Sequence, residues 1–191
     1  MKIACGITGA SGMPYAVRLI EFLAQTENEV YTVVSEWGKK IIKLEMNREW
    51  EEIISGFKGK VYNFEEDDLF SPLASGSFGI EKTVILPCSM KTLSAIAHGF
   101  SQNLIERMAD VSIKEGKMLV LCPREMPFSS IHLENMLKLS KMGVKIAPPV
   151  PAFYPHPESI EDITDFVVGK ILDILKIEHN LFRRWHGNPA Y

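Results

Sequence analysis

The chain has 191 residues, of which 46% are hydrophobic and 24% are charged, and it carries a formal net charge of -3. This balance predicts one globular domain and excludes a general electrostatic attraction to nucleic acid or to anionic lipid. No apolar run approaches the roughly 20 residues that span a bilayer, and Met1 to Gly12 lacks the apolar core of a signal peptide, so we expect a cytoplasmic protein.

Strands and helices are predicted to alternate along the chain. Short apolar runs bounded by turn residues predict strands at 2–7, 29–34, 83–86, 118–122 and 144–146, with a shorter candidate at 60–62. Apolar residues at helical spacing fall within 16–23, 41–44, 93–97, 104–111, 133–137 and 160–175. The alternation indicates an α/β fold with a doubly wound, mainly parallel sheet of the Rossmann-like or flavodoxin-like kind. We expect one domain over residues 1–191, whose tail from about 177 to 191 docks at the functional site or at a subunit interface.

A glycine-rich turn follows the first predicted strand. Its sequence, GITGASG, runs from Gly6 to Gly12 and precedes Pro14 and a helical pattern, so its backbone amides can approach an anion closely. Ser11 can cap the helix or donate to a phosphate. The spacing of Gly6, Gly9 and Gly12 departs from the GxGxxG and Walker patterns, so neither NAD nor ATP is the expected ligand. A turn that merely connects a strand to a helix is the alternative.

Polar segments directly follow the predicted strands. Ligands of parallel sheets bind beyond the carboxyl ends of the strands, so we expect these segments to form one pocket. They are GASG, Ser35, PCSMKT, PRE and PPVPAFY, with the loop 69–78 nearby. Arg124 and Glu125 leave a buried strand directly and need compensation, either from each other or from a ligand.

The cysteines and the acidic run are interpreted as structural. Cys5, Cys88 and Cys122 lie in or beside apolar runs, which favours buried, reduced thiols over a redox or metal role. The run EEDD at 65–68 is interpreted as a solvated loop rather than a metal site.

Six segments form a specific pattern across nearly the whole chain. They are GITGASG, ASGSF at 74–78, LPCSMKTL at 86–93, NLIERMADV at 103–111, LCPRE at 121–125 and PPVPAFY at 148–154. In this order and at these separations they resemble the UbiX-type flavin prenyltransferases. The resemblance implies a homo-oligomeric flavoprotein, commonly a dodecamer with active sites at subunit interfaces, that binds FMN and requires no metal. It implies transfer of a dimethylallyl group from dimethylallyl phosphate to N5 and C6 of reduced FMN, giving prenylated FMN for a UbiD-type decarboxylase.

The resemblance also implies which residues contact the flavin. Without it, Ser35 and Ser89 would be helix caps and Glu45 a solvated helix residue. The residues matched to flavin contacts are Gly9, Ala10, Ser11, Ser35, Glu45, Ser89, Met90, Lys91, Thr92, Arg107 and Arg124.

Donor-binding and catalytic residues are implied in the same way. The phosphate of the donor needs cationic and hydroxyl groups, and the matched positions are Lys114, Arg124, Tyr154 and Lys170. Trp185 matches a tryptophan that can face the dimethylallyl cation, Glu125 is expected to transfer a proton or to hydrogen-bond the flavin, and Ser75 is expected near its reactive edge. The family often has arginine at the position of Lys170, so a single rather than a forked phosphate contact is expected there. Gly116 replaces another frequent arginine, which bears on a nearby ion pair and not on Lys114.

Two other functions remain open from the sequence. The chain could be an FMN-binding accessory subunit of an aromatic acid decarboxylase. It could also be an FMN-dependent cysteine decarboxylase, although those proteins carry a histidine after the second strand and a PAMN segment, where this chain has Ser35, Glu36 and PAFY. The pathway served, whether quinone synthesis or aromatic acid breakdown, the choice of a monophosphate or a diphosphate donor, and the oligomer size are also left open.

Overall fold

The computed structural model describes residues 1–185 and 187, and the chain divides into two compact units, Met1–Pro149 and Val150–Tyr191. The prediction of a single domain stays a prediction. Among the described residues, none of the helices combines the length and the apolar character of a membrane span. Over the same residues, no group of three or more His, Cys, Asp or Glu side chains is arranged to hold a metal ion.

The first unit is built on a six-stranded sheet in which all neighbouring strands run parallel. The strands are β1 (Lys2–Ile7), β2 (Glu29–Val34), β3 (Val61–Glu65), β4 (Lys82–Cys88), β5 (Met118–Pro123) and β6 (Lys145–Ile146), in the order β3-β2-β1-β4-β5-β6. This is the strand order of a doubly wound Rossmann sheet, so the predicted fold class is confirmed. The order reverses between β1 and β4, where sheets of this kind bind ligands.

Burial explains which strands were easy to predict. All residues but the first are buried in β1, β2, β4 and β5, because helices cover both faces of the central sheet. In the edge strand β3 no residue is fully buried, so its apolar pattern is weak. The prediction at 60–62 therefore found the strand but missed its extent. Cys5, Cys88 and Cys122 are free and buried, as predicted.

Six helices of the first unit connect these strands. They are α1 (Met13–Ala24), α2 (Glu36–Met46), α3 (Trp50–Gly56), α4 (Met90–Ala97), α5 (Leu104–Lys114) and α6 (Ser130–Lys141), and α7 (Ile160–Ile174) belongs to the second unit. The prediction lacked α3, because only Trp50 and Ile53 of this short helix are buried and two residues make no clear period. The loop 69–78 contains two short 3-10 turns, Pro72–Ala74 and Gly76–Phe78.

Helix α5 runs antiparallel to the strands. At its start, the Leu104 amide donates to the carbonyl oxygen of Glu66 at 2.7 Å, directly after the carboxyl end of β3. Near its end, the Ser112 and Thr83 hydroxyls lie 2.8 Å apart, and Thr83 is the second residue of β4. The two ends of α5 therefore lie at opposite ends of the strands. We call the side where the strands end the carboxyl edge of the sheet and the side where they begin the amino edge.

Candidate functional site

The carboxyl ends of β1 and β4 are joined by one buried hydroxyl. Thr8 Oγ1 donates to the Pro87 carbonyl oxygen at 2.9 Å and accepts from the Ser89 amide at 2.7 Å. The Thr8 amide also donates to Pro87 at 3.2 Å. These bonds hold the GITGASG turn against Pro87 and Ser89, the first and third residues of the PCSMKT segment. The two loops that flank the strand-order reversal are therefore joined in one hydrogen-bonded junction.

The neighbouring strand ends are joined to this junction through backbone hydrogen bonds. The Arg124 amide donates to the Cys88 carbonyl oxygen at 3.2 Å, and the Ser35 amide donates to the Ile7 carbonyl oxygen at 2.9 Å. Four of the strand ends expected to form a pocket, those of β1, β2, β4 and β5, are thus brought together in the first unit.

The start of α1 differs from the prediction in how its amides are used. Glu45, on α2, accepts hydrogen bonds from the amides of Gly12 and Met13 at 3.0 and 2.9 Å. Gly12 is the N-cap and adopts φ 114°, which glycine tolerates. Because glycine has no side chain, the cap residue itself cannot accept from the helix amides. Glu45 is exposed, yet it is an acceptor for the helix start, and Ser11 is not the cap. In the part of the chain that the structure describes, the amides of this turn that stay open to an anionic ligand are those of Gly9 and Ser11, which precede the cap.

Serine caps begin two further helices at this edge. Ser35 Oγ accepts from the Gly38 amide at 3.0 Å at the start of α2, and Ser89 Oγ accepts from the Thr92 amide at 3.3 Å at the start of α4. The Ser89 and Thr92 hydroxyls also lie 3.1 Å apart. Three helices, α1, α2 and α4, therefore direct their N-terminal partial positive charge at the same edge of the sheet.

The charged residues at this edge are available to a ligand. Arg124 and Glu125 are exposed and form no ion pair with each other; the Glu125 carboxylate accepts only from the Met126 amide, at 3.0 Å, within the described residues. Lys91 Nζ lies 3.9 Å from Oε1 of Glu106, a side chain that is 1% exposed. Arg124 and Glu125 are thus not compensated by each other but are open to solvent, where a ligand could contact both.

Thr8 and Glu106 are site-supporting residues that the sequence analysis missed. Thr8 lies inside the glycine-rich motif but does not stand out from it by type. Glu106 accepts from the Gln102 amide at 2.9 Å, while its Oε1 atom is buried and has no hydrogen bond among the described residues. A carboxylate three residues after Asn103, the N-cap of α5, was a usable signal, because it completes a capping pattern.

Ser75, Arg107 and Lys114 form a second group on α5 and the loop beside it. Arg107 Nε donates to the carbonyl oxygen of Ala74 at 3.1 Å, and Lys114 Nζ lies 2.5 Å from the Glu115 carboxylate. A Cβ built on Gly76 would lie 2.4 Å from that carboxylate, so the loop residue after Ser75 touches the pair.

This second group reaches the amino edge of the sheet. Lys114 follows Ser112 at the end of α5, and Lys2, in β1, donates to the Phe78 carbonyl oxygen at 3.1 Å. A six-residue strand is about 20 Å long. One copy of the first unit therefore does not bring Lys114 together with Ser11, Ser89 and Arg124.

The remaining predicted residues belong to the second unit. The Tyr154 and Trp185 rings meet edge to face, with centroids 5.7 Å apart. Lys170 Nζ lies 3.7 Å from the Asp173 carboxylate, on the same helix. The second unit thus supplies an aromatic pair and a cation of the kinds predicted for the donor.

The donor set at the carboxyl edge fits FMN. The Gly9 and Ser11 amides make no hydrogen bond within the described residues, and they lie in the turn that a phosphate would meet. Ser35 and Ser89 add hydroxyls, and Arg124 adds an exposed guanidinium. Backbone amides, hydroxyls and a cation around the strand-order reversal suit a phosphate that is linked to a polar ring system.

Known proteins match the chain along almost its whole length. The sequence profile of the flavoprotein family matches residues 1–172. A flavin prenyltransferase UbiX from Methanocaldococcus jannaschii is 55% identical over 185 residues, which cover 97% of this chain and 98% of that protein.

Two solved structures share this fold closely. The dodecameric FMN-dependent UbiX-like decarboxylase from Escherichia coli O157:H7 has a TM-score of 0.93 at 44% identity, covering 98% of this chain and 100% of the other. AnUbiX (PadA1) in complex with FMN and dimethylallyl pyrophosphate has a TM-score of 0.93 at 40% identity, covering 97% of each chain. These similarities agree with the resemblance found in the sequence segments.

Proposed function

Because this chain belongs to the flavoprotein family and, within it, to the UbiX-type flavin prenyltransferases, we propose that it joins a dimethylallyl group from dimethylallyl phosphate to N5 and C6 of reduced FMN. The observation that carries the proposal is the match along nearly the full length to a protein whose structure holds FMN together with dimethylallyl pyrophosphate. The hydrogen-bonded carboxyl edge, with the starts of α1, α2 and α4, supports the same conclusion from this chain's own residues.

The carboxyl edge holds the flavin in this proposal. The Gly9 and Ser11 amides bind the phosphate, with Ala10 between them, while Ser35 and Ser89 contact the polar parts of the ligand. Met90, Lys91 and Thr92 follow Ser89 at the start of α4, and Glu45 and Arg124 complete the proposed flavin contacts at this edge. Arg107, the remaining proposed flavin contact, belongs to the second group with Ser75 and Lys114. When bound, FMN supplies the N5 and C6 atoms that receive the dimethylallyl group.

The donor phosphate is held by cations and a hydroxyl. Cleavage of the C–O bond leaves negative charge on the departing phosphate, and charge-assisted hydrogen bonds strengthen as that charge develops. Lys114, Arg124, Tyr154 and Lys170 carry this role. Lys170 offers a point charge rather than a fork, so its contact is single.

Two further residues act on the reacting groups. The Trp185 ring faces the dimethylallyl cation, and such an interaction contributes about 2 kcal/mol when it is desolvated. The Glu125 carboxylate accepts the proton that is lost as the second bond forms, which its exposed position at the end of β5 allows. Ser75, beside small residues, leaves room for the prenyl chain.

The proposed site requires more than one copy of the chain. Lys114 and Ser75 lie towards the amino edge of the sheet, whereas Ser89 and Arg124 lie at the carboxyl edge. A single reaction that uses both groups needs them from different copies. Large exposed apolar side chains support such assembly: Phe70 is fully exposed and Met126 is 91% exposed in the single chain. We therefore propose a homo-oligomer, a dodecamer as in the Escherichia coli relative, with sites at its interfaces.

The recipient of the product and the location of the protein are also proposed. A UbiD-type decarboxylase that receives prenylated FMN follows from the family resemblance. A cytoplasmic location is consistent with three buried cysteines that form no disulfide.

The test is anaerobic incubation of the protein with reduced FMN and dimethylallyl phosphate, followed by mass spectrometry of the released flavin. We expect FMN with one added dimethylallyl group. A parallel reaction with the diphosphate donor decides which donor is used. Bound FMN that keeps its mass with both donors would refute prenyl transfer.

The two alternatives predict different results from the same sample. An accessory subunit would pass unmodified FMN to a UbiD-type decarboxylase. A cysteine decarboxylase would release CO2 from a cysteinyl peptide without a second protein.

A further inference from the structure

A network of side chains at the end of α7 fixes the segment that bears Trp185. The chain turns after α7 at Lys176, whose φ is 53°, and then runs back along the same helix. Asp173 lies at the centre of the network. Its carboxylate accepts a forked pair of bonds from Arg184, with Nη2 to Oδ1 at 2.7 Å and Nη1 to Oδ2 at 3.1 Å. The residue directly after Arg184 is Trp185.

His179 links the same carboxylate to the returning chain. Its Nε2 atom lies 3.1 Å from Asp173 Oδ1, and its Nδ1 atom accepts from the Leu181 amide at 3.3 Å. Because Nδ1 accepts, the ring carries its proton on Nε2 and donates it to Asp173. The His179 side chain is fully buried, so this bond is shielded from water.

Aromatic packing closes the fold-back. The Phe182 ring lies 4.9 Å from Phe166, between centroids, and the His179 ring lies 5.4 Å from Phe182. A Cβ built on Gly169 would lie 2.6 Å from Phe182 and 2.7 Å from His179, so only glycine lets the returning chain lie this close to α7. The path from Gly169 to Trp185 is thus held at several points.

Asp173 also contacts a residue assigned to the donor. Lys170 Nζ lies 3.7 Å from Asp173 Oδ2, the oxygen that also accepts from Arg184. The Arg184 guanidinium lowers the pKa of Asp173 below its ordinary value, and the bond from His179 adds to this, so the group is a carboxylate at neutral pH. One carboxylate therefore restrains Lys170 directly and Trp185 through Arg184.

We infer that Asp173 is a positioning residue for prenyl transfer: through Arg184 and His179 it holds the Trp185 ring edge-on to Tyr154, and it sets the place of the Lys170 ammonium. This inference rests on the proposed function, which assigns Trp185, Tyr154 and Lys170 to the donor. Asp173 itself touches neither donor nor flavin in this scheme. Its loss should weaken donor binding while flavin binding stays intact.

The test compares Asp173→Asn with Glu178→Gln in the full-length protein. Both changes remove one carboxylate from the second unit, but Glu178 is exposed and has no hydrogen bond or ion pair within the described residues, so it is the matched control. The first measurement is limited trypsin cleavage after Arg183 and Arg184, followed as intact mass. The second is the KM for dimethylallyl phosphate and kcat, together with the Kd for FMN.

For Asp173→Asn we expect cleavage about tenfold faster and a donor KM raised about tenfold, because a forked, charge-assisted contact is lost, while the Kd for FMN is unchanged. Glu178→Gln should match the wild type in all of these. Arg184→Lys keeps the charge without the fork and should lie between the two.

Each other result overturns a stated part of the argument. Unchanged cleavage and donor KM in Asp173→Asn would overturn the inference, and so would faster cleavage with an unchanged donor KM, since the network would then hold the tail without positioning the donor site. Wild-type protein that forms no prenylated flavin would overturn the proposed function instead. The trypsin rates would in that case still test whether Asp173 holds the Trp185 segment.

Discussion

The hydroxyl of Thr8 should contribute more to the stability of this protein than a methyl group of the same size. Thr8→Val keeps the shape of the side chain but removes both of its hydrogen bonds, to the Pro87 carbonyl oxygen and from the Ser89 amide. Pro87 retains the Thr8 amide as a donor, whereas the Ser89 amide is left without its acceptor. Thr8→Ser is the matched control, because it keeps the hydroxyl and loses only a buried methyl group.

The magnitudes separate the two variants. A buried donor left unsatisfied costs about 1–3 kcal/mol, whereas a lost methyl group costs about 0.8 kcal/mol. For a chain of this size each kcal/mol shifts the melting temperature by about 2–4 °C. At the upper end of the cost of an unsatisfied donor, Thr8→Val should therefore melt several degrees below Thr8→Ser. It should also bind FMN more weakly, because the junction of the two loops that flank the proposed flavin site has lost a bond on each side.

The assay is thermal unfolding at a fixed protein concentration, together with FMN titration by quenching of flavin fluorescence. Fixed concentration is needed because the stability of an oligomer depends on it. If Thr8→Val melts with Thr8→Ser and binds FMN as tightly, the junction does not stabilise the site and the reasoning is refuted.

Three further predictions concern Glu45, Cys5 and Glu125. Glu45→Ala should lower the melting temperature by several degrees, because a helix-start acceptor contributes about 1 kcal/mol. Glu45→Gln should lose only part of this stability. Equal melting temperatures of both variants and the wild type would contradict the role of Glu45 as a cap of α1. Burial raises the pKa of Cys5 from 9.0 to about 12, so its contribution to stability should be full below pH 9 and fall as the pH rises towards 12; Ellman's reagent should label no thiol before unfolding, and rapid labelling of native protein would contradict this. Glu125→Gln should slow prenyl transfer about 100-fold while FMN stays bound, as followed by product mass over time, and an unchanged rate would remove Glu125 from proton transfer.

The sequence predicted the central sheet well because central strands are buried on both faces. The bounds of β1 and β2 agree with the predicted ranges, and the predicted ranges at β4 and β5 fall inside the observed strands. The edge strand β3 and the short helix α3 were harder, since each buries too few side chains to produce a clear period.

Long-range hydrogen bonds account for most of what the sequence could not predict. Glu45 lies 33 positions from Gly12, and nothing in the intervening residues shows that its carboxylate bonds the start of α1. Thr8 and Ser89 are 81 positions apart. Residue types at strand ends predicted which loops come together, but not which of their groups are already bonded to each other. The roles assigned to individual site residues remain predictions.

The antiparallel course of α5 has a consequence for how activity would respond to dilution. If Lys114, at the C-terminal end of α5, serves a site built on another copy, then each isolated chain is folded but lacks a complete active site. Turnover per chain would collapse below the concentration at which the assembly dissociates, while circular dichroism of the same samples would hardly change.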